Sequence, residues 1–278
     1  MWRKLRMLLE QKTKKIRFCK QSMEFTFLPD GDIFEFMSGS VLINQFQGNS
    51  VDGSANNIYL RIYQNEEDTV ISHVIPLLGR TSKSQLFLRS NQALYFRGTV
   101  EEITYEVAFL PTDNQTWFWR VNLQGKDITY DLLYGQDISL ADKGGVLSNE
   151  LYISQYLDHH ILSGEHGMVV CSRQNQAQGG KFLYLQQGAL TSNIIKYSTD
   201  EMQFFGKSYK QTGIPEILYK DLENINYQYE LSYTALQTEK MVLDGEKTVV
   251  FYGCFQPDHR EAVSKLEYQE EIKAAYEE

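Results

Sequence analysis

The 278-residue chain is 13% aromatic, with 18 Tyr, 15 Phe and 3 Trp against 5 Pro, which excludes a disordered chain and leaves room for one large domain or two ordinary ones. Its net charge of −9 is uneven: residues 1–22 carry eight Lys or Arg against Glu10, so the rest carries −16 and repels nucleic-acid phosphate. No apolar run reaches membrane-span length, no signal-peptide core is present, and Cys19, Cys171 and Cys254 form no CxxC pair. These features point to a cytoplasmic chain without a disulfide framework or zinc knuckle.

In chain order, residues 1–22 form a basic extension whose Trp2, Leu5, Leu8, Leu9, Ile16 and Phe18 have partly helical spacing, so a short N-terminal helix is predicted. From Met23 the pattern alternates. Phe25 and Phe27, then Ile33, Phe34 and Phe36, flank Pro29-Asp30-Gly31-Asp32 as two strands joined by a turn. Strands follow over 58–63, 86–88, 94–96, 103–110, 117–123, 128–134, 152–161, 168–171, 182–185, 227–236 and 248–255, separated by turn residues such as Gly79, Gly98, Gly125 and Gly188. Ile103, Tyr105, Val107 and Phe109 fall on one face of their strand. So many short strands predict an all-β fold, a large antiparallel β-sandwich over 23–257. The run HREAVSKLEYQEEIKAAYEE is rich in helix formers, and 258–278 is predicted to be a linker helix with too few apolar positions to pack well.

Between Asp137 and Gln176, amides, carboxylates and a guanidinium alternate with tyrosines, as a surface reading ring hydroxyls requires. Glu150, Asp137, Asp142 and Asp158 are candidates for an acid/base pair on a glycosidic bond, but solvated loop carboxylates are the simpler reading. His159 and His160 are adjacent on a predicted strand and point to opposite faces, so they do not ligate one metal; one ring is expected in the core with its nitrogens satisfied, the other exposed. Gly206-Lys207-Ser208 lacks the upstream glycine of a phosphate loop, since position 201 is Glu. Cys171-Ser172-Arg173 has no base nearby, so nucleophilic catalysis is unsupported. Trp117 and Trp119 share a face and read as core, as do Tyr152, Tyr156, Tyr184, Tyr227 and Tyr229. The polar loop pair 44–49 and 52–57 reads as turn chemistry, or more sharply as a subunit or substrate contact.

Seven segments, taken in order, carry a resemblance: NQFQGNSVDGSANNIYLRIY (44–63), TWFWRVNL (116–123), DLLYGQDISLAD (131–142), NELYISQYLDHH (149–160), CSRQNQ (171–176), STDEMQFFGKSYK (198–210) and NYQYELSYTALQ (226–237). Together they resemble the N-terminal β-sandwich domain of the cellobiose-phosphorylase-like inverting glycoside phosphorylases, and within that family the beta-1,2-oligoglucan enzymes. The resemblance covers roughly 23–255. It implies a galactose-mutarotase-like supersandwich, followed in the family by a helical linker and an (α/α)6 barrel holding the catalytic Asp and the phosphate site. It further implies a β-glucan oligosaccharide and inorganic phosphate as substrates of the complete enzyme, a homodimer, and a sugar 1-phosphate product, with phosphate as nucleophile and no cofactor or metal.

Neither the acid nor the phosphate site falls on this chain, which reads as a fragment or split gene without catalytic residues. The resemblance and the polarity of the run nominate Gln136, Asp137, Asn149, Glu150, Gln155, Asp158, His159, Arg173, Gln174, Asn175 and Gln176 as substrate or interface contacts. Two other classes remain open. One is a stand-alone carbohydrate-binding module; the other is a mutarotase-like epimerase using His159 or His166 with Glu150 or Asp158.

Overall fold

The computed structural model describes residues 14–64, 70–89, 93–227 and 231–278. Strands dominate, as expected. A five-stranded sheet joins β1 (Ile16–Lys20), β2 (Met23–Phe27), β3 (Ile33–Ser38), β4 (Val41–Leu42) and β11 (Ala141–Asp142). A twelve-stranded sheet contains β5 (Asn57–Gln64), β6 (Val70–Pro76), β7 (Gln85–Arg89), β8 (Ala93–Val100), β9 (Ile103–Pro111) and β10 (Thr116–Asp137). Its remaining members are β12 (Leu157–Gly164), β13 (Gly167–Gln174), β14 (Tyr184–Ala189), β15 (Ile194–Asp200), β16 (Ser232–Thr238) and β17 (Met241–Gln256).

The two strands expected over 117–123 and 128–134 are one, the 22-residue β10. Gly125 marks a bulge instead of a turn: the register against β17 shifts between Gly125 and Ile128, which bends the strand without ending it. The first half of β10 lies between β9 and β17, the second between β5 and β16. Hydrogen bonds then run in a circuit through β17, β14, β13, β15 and β16 back to β10. Among the described strands, pairing with one another is antiparallel except between β13 and β15, which meet in parallel.

The small sheet covers one face of β9 and β10. Phe25, Phe27 and Phe36 meet Phe109 at 5.0–5.5 Å between ring centroids, and Phe109 meets Trp119 at 4.7 Å. Such edge and tilted pairs each add about 0.5–1.5 kcal/mol beyond the burial of their area. Ile103, Tyr105, Val107 and Phe109 all point into this core, as their alternation predicts, and Trp117 and Trp119 are fully buried.

Three further expectations change. Ile16–Lys20 is a strand paired with β2, not part of a helix, and Phe18 is buried opposite Phe25 while Arg17 and Cys19 face out. Its period is two, so the sandwich begins before Met23; residues 1–13 lie outside the described residues. The stretch 143–154 forms α1 (Lys143–Ser148) and α2 (Glu150–Ser154), so the strand expected from Tyr152 starts only at Leu157. Asp142 and Asn149 cap these helices, accepting bonds from the backbone N–H of Gly144 (2.9 Å) and Tyr152 (3.1 Å). At the C-terminus only Gln269–Glu277 is helical (α5), and it packs well: Ile272 and Ala275 are buried against Phe118, Val250 and Tyr252.

The second half of β10 is tied to β5 by a buried ion pair. Arg61 and Asp131 are register partners with fully buried side chains; Arg61 Nε donates to Asp131 Oδ1 (2.7 Å) and its Nη1 to the Lys220 carbonyl (2.6 Å). The Tyr63 hydroxyl (2.8 Å) and Gln237 amide (3.2 Å) also donate to Asp131. Removing one partner leaves the other charge buried, so Asp131→Asn should cost about 3–5 kcal/mol in urea unfolding, while the double variant Arg61→Met/Asp131→Leu should recover most of it. Equal losses in the two proteins would show that the pair itself, and not the orphaned charge, sets the cost.

Candidate functional site

The polar run 137–176 does not form one strand-built surface; it is split between the end of β10, α1, α2, β12 and β13. β10 delivers Gln136 and Asp137 into the interior, where both are buried. Gln136 Oε1 accepts bonds from the Tyr134 hydroxyl (2.5 Å) and the Gln187 amide (3.2 Å), and the Thr234 hydroxyl donates to Gln187 Oε1 (2.7 Å). Asp137 accepts from the backbone N–H of Gln45 (2.8 Å) and of Phe46, while its own N–H donates to Asn56 Oδ1 (2.7 Å). Burial pushes the Asp137 carboxyl up to about 6 against the pull of these hydrogen bonds.

Gln174 is the hub between β13 and α2. Its amide donates to the carbonyls of Ser139 and Ile153 (both 3.3 Å) and accepts from the Gln176 N–H (3.1 Å). Asn149 serves as the N-cap of α2, and Gln155 is its C-cap residue. The Gln45 amide reaches the carbonyl of Glu150 (3.2 Å). Side chains nominated for ligand contact therefore hold local backbone in place.

Across the β12–β13 ladder Asp158 stands opposite Arg173 and His159 opposite Ser172. His159 is buried, with Nδ1 2.8 Å from the Ser172 hydroxyl and Nε2 2.9 Å from that of Ser232, whereas His160 is half-exposed beside Asp158 (2.8 Å). This is the division of roles expected of two adjacent histidines on a strand. No group of three His, Cys, Asp or Glu able to hold one metal ion occurs among the described residues.

Arg173 fastens the C-terminal segment. Its Nε donates to the His259 carbonyl and Nη2 to the Arg260 carbonyl (2.9 Å each), Nη1 reaches Asn175 Oδ1, and the guanidinium lies 4.3 Å from the Phe182 ring centroid. The His259 ring stacks on Tyr184 at 4.5 Å and meets the Tyr268 hydroxyl at 2.9 Å. The Phe182 N–H donates to the Asp258 carboxylate (3.1 Å). Sequence reading missed Phe182, His259 and Tyr268 because they come together only where Asp258 and His259 fold back onto Phe182 and Tyr184, far earlier in the chain.

The loop pair 44–57 is turn chemistry. Asn44 Oδ1 takes the Phe36 N–H (2.8 Å), Asn49 Oδ1 takes those of Val51 and Asp52 (2.8 Å each), and Asn57 Nδ2 donates to the Leu78 carbonyl (3.1 Å). Tyr152 and Tyr227, expected in the core, are 45% and 48% exposed, while Tyr184 is buried as expected; Tyr229 lies outside the described residues. Facing outward on α1 and α2 are Leu147, Leu151 and Tyr152, beside Asn149 and Gln155.

Burial lowers the His159 ring to about 4, so its contribution to stability is complete above the ordinary histidine range near 6.5 and is lost as pH falls through 4. Asp137, and Asp32, also pushed up to about 6, act oppositely: their contribution is present below the ordinary carboxylate range and lost as pH rises through 6. These effects oppose one another in the wild type between pH 4 and 7. Replacing the ring in His159→Gln should remove the acid-labile part, so that relative to wild type the variant is more stable at pH 4 than at pH 7 by about 3 kcal/mol in denaturant titrations. Parallel pH profiles for the two proteins would exclude His159 as the titrating group.

A family model described as the SOGP N-terminal domain matches residues 26–253. The chain is 33% identical over 235 residues to a 1,2-beta-oligoglucan phosphorylase of Listeria innocua serovar 6a, covering 84% of this chain and 20% of that protein. Among solved structures, a polysaccharide lyase superposes with a TM-score of 0.52 at 9% identity, over 87% of this chain and 33% of the lyase, which shows a shared fold. A GalM/aldose epimerase homologue from C. elegans aligns over 89% of this chain and all of its own, with a TM-score of 0.48 and 10% identity. Spanning about one fifth of the phosphorylase it matches, the chain belongs to the SOGP N-terminal domain family.

Proposed function

We propose that this chain is the non-catalytic β-sandwich part of a cytoplasmic glycoside phosphorylase that cleaves β-glucan oligosaccharides with inorganic phosphate, and that it acts in dimer assembly and in shaping the substrate site. One observation carries the reading: the 33% identity to a 1,2-beta-oligoglucan phosphorylase extends over 235 residues, 84% of this chain. The chemistry of the polar residues agrees with it. Asp137 is sealed under backbone N–H groups and Asp142 caps a helix, so neither is positioned to protonate a glycosidic oxygen. His159 has both ring nitrogens engaged by buried serines, which removes it as the acid or base of an epimerase.

On this reading the acid and the phosphate site belong to an (α/α)6 barrel supplied elsewhere in the polypeptide or by a companion chain, and residues 258–278 lead toward it. The nominated residues divide accordingly. Gln136, Asp137, His159, Arg173 and Gln174 set the shape of the platform from inside, while Asn149, Glu150, Gln155, Asp158, Asn175 and Gln176 lie nearer its surface. With Leu147, Leu151 and Tyr152 exposed beside them, α1 and α2 form the face that we assign to the barrel or to a second subunit. Apolar side chains rimmed by polar ones are the usual composition of such a contact.

The test is phosphorolysis. With a β-1,2-glucan oligosaccharide and inorganic phosphate, the 278-residue chain alone should release no sugar 1-phosphate. A chimera in which residues 14–278 replace the matching part of the Listeria phosphorylase should release it, and lose several-fold in rate when Leu147 and Leu151 are changed to Glu. Turnover by the chain alone would overturn the reading.

A further inference from the structure

A second concave site lies away from the polar run, between the edge of β5 and β6 and the segment that follows β15. That segment folds as α3 (Glu201–Phe205), α4 (Tyr209–Thr212) and a 3-10 turn (Glu216–Tyr219). Between them is a pocket of about 240 Å³. Its apolar walls include Phe205, Ile214 and Leu218, and Tyr219 stands at its edge, 60% exposed. Phe205 and Tyr209 pack ring to ring at 4.6 Å, which holds the Tyr209 ring in place.

Tyr59 makes this more than a crevice. It lines the pocket from β5 and is 9% exposed, and its hydroxyl has no hydrogen-bond partner among the described residues. Burial, with Tyr209 and Asp32 adding to it, holds its phenol above the usual tyrosine range, so the group stays a protonated donor. The hydroxyl is open to the pocket, so an apolar occupant would strip its water without replacing the bond, at a cost on the order of 1–3 kcal/mol. Tyr209 and Asp52 also border the pocket. The occupant that fits has an apolar face to lie on aromatic rings and hydroxyls around its edge, and the volume suits a single ring.

We infer that this pocket binds one pyranose unit of a glucan, with Tyr219 and Tyr209 under the ring face and the Tyr59 hydroxyl bonded to a ring hydroxyl. The choice of a β-glucan rests on the phosphorylase reading above.

Titration calorimetry of the 278-residue chain with a β-1,2-linked glucotriose tests it. Saturable binding is expected with a dissociation constant on the order of 1 mM. Tyr219→Ala should weaken it by roughly tenfold or more, and Tyr59→Phe, which keeps the ring and removes only the hydroxyl, by roughly three- to tenfold with the thermal midpoint unchanged. Tyr227→Ala, an exposed tyrosine outside the pocket, should bind as wild type. No saturable binding, or binding indifferent to Tyr59→Phe and Tyr219→Ala, would overturn the site. Either result leaves the phosphorylase reading standing, because that depends on turnover by the chimera.

Discussion

One strand constrains everything else. β10 passes through the large sheet for 22 residues, pairing with four strands, and its side chains supply the middle of each layer. Trp117 and Trp119 anchor the aromatic core at one end, and Asp131, Gln136 and Asp137 hold buried polar contacts at the other. Close packing around it leaves little latitude. Gly253 stands opposite Trp117 in the register, and a Cβ there would lie 2.3 Å from the indole. At Gly135 a Cβ would meet the Tyr233 hydroxyl at 2.2 Å, so an alanine at either position requires an aromatic side chain to move.

Placing polar residues inside such a strand is costly unless each finds partners, and the partners come from far along the chain. Asp137 takes backbone donors from residues about ninety positions earlier, and Arg173 supplies donors to carbonyls about as many positions later. These links join loops that the hydrophobic core does not reach. They fix the α1–α2 face on one side and the C-terminal segment on another.

Much of the architecture was legible in the sequence. Alternation over 103–109 named the buried face of β9, and the tryptophans of β10 were recognisable as core from their spacing. Adjacent histidines at 159 and 160 also announced their opposite environments, because strand geometry alone decides that. Local competition explains the failures: at 152–154, Asn149 caps a helix where the start of a strand was expected, and at 16–20 a period of two overrode a loosely helical pattern. The direction of the polar run could not be read at all. Whether Gln174 or Arg173 points to solvent or to a distant carbonyl depends on strand pairing across the whole chain, and the pocket at Tyr59 depends on a helical segment folding back over β5. Family resemblance located the domain but is silent on such contacts.

The central claim is that these polar side chains brace the sandwich from within, Arg173 above all, by fastening the C-terminal segment. Hydrogen exchange of the backbone amides of wild type and Arg173→Ala, followed by mass spectrometry, tests this most directly. The account predicts faster exchange over residues 257–278 in the variant, with β9, β10 and β17 protected as in wild type. Unchanged protection of that C-terminal segment, or a loss spread evenly through the sandwich, would contradict it.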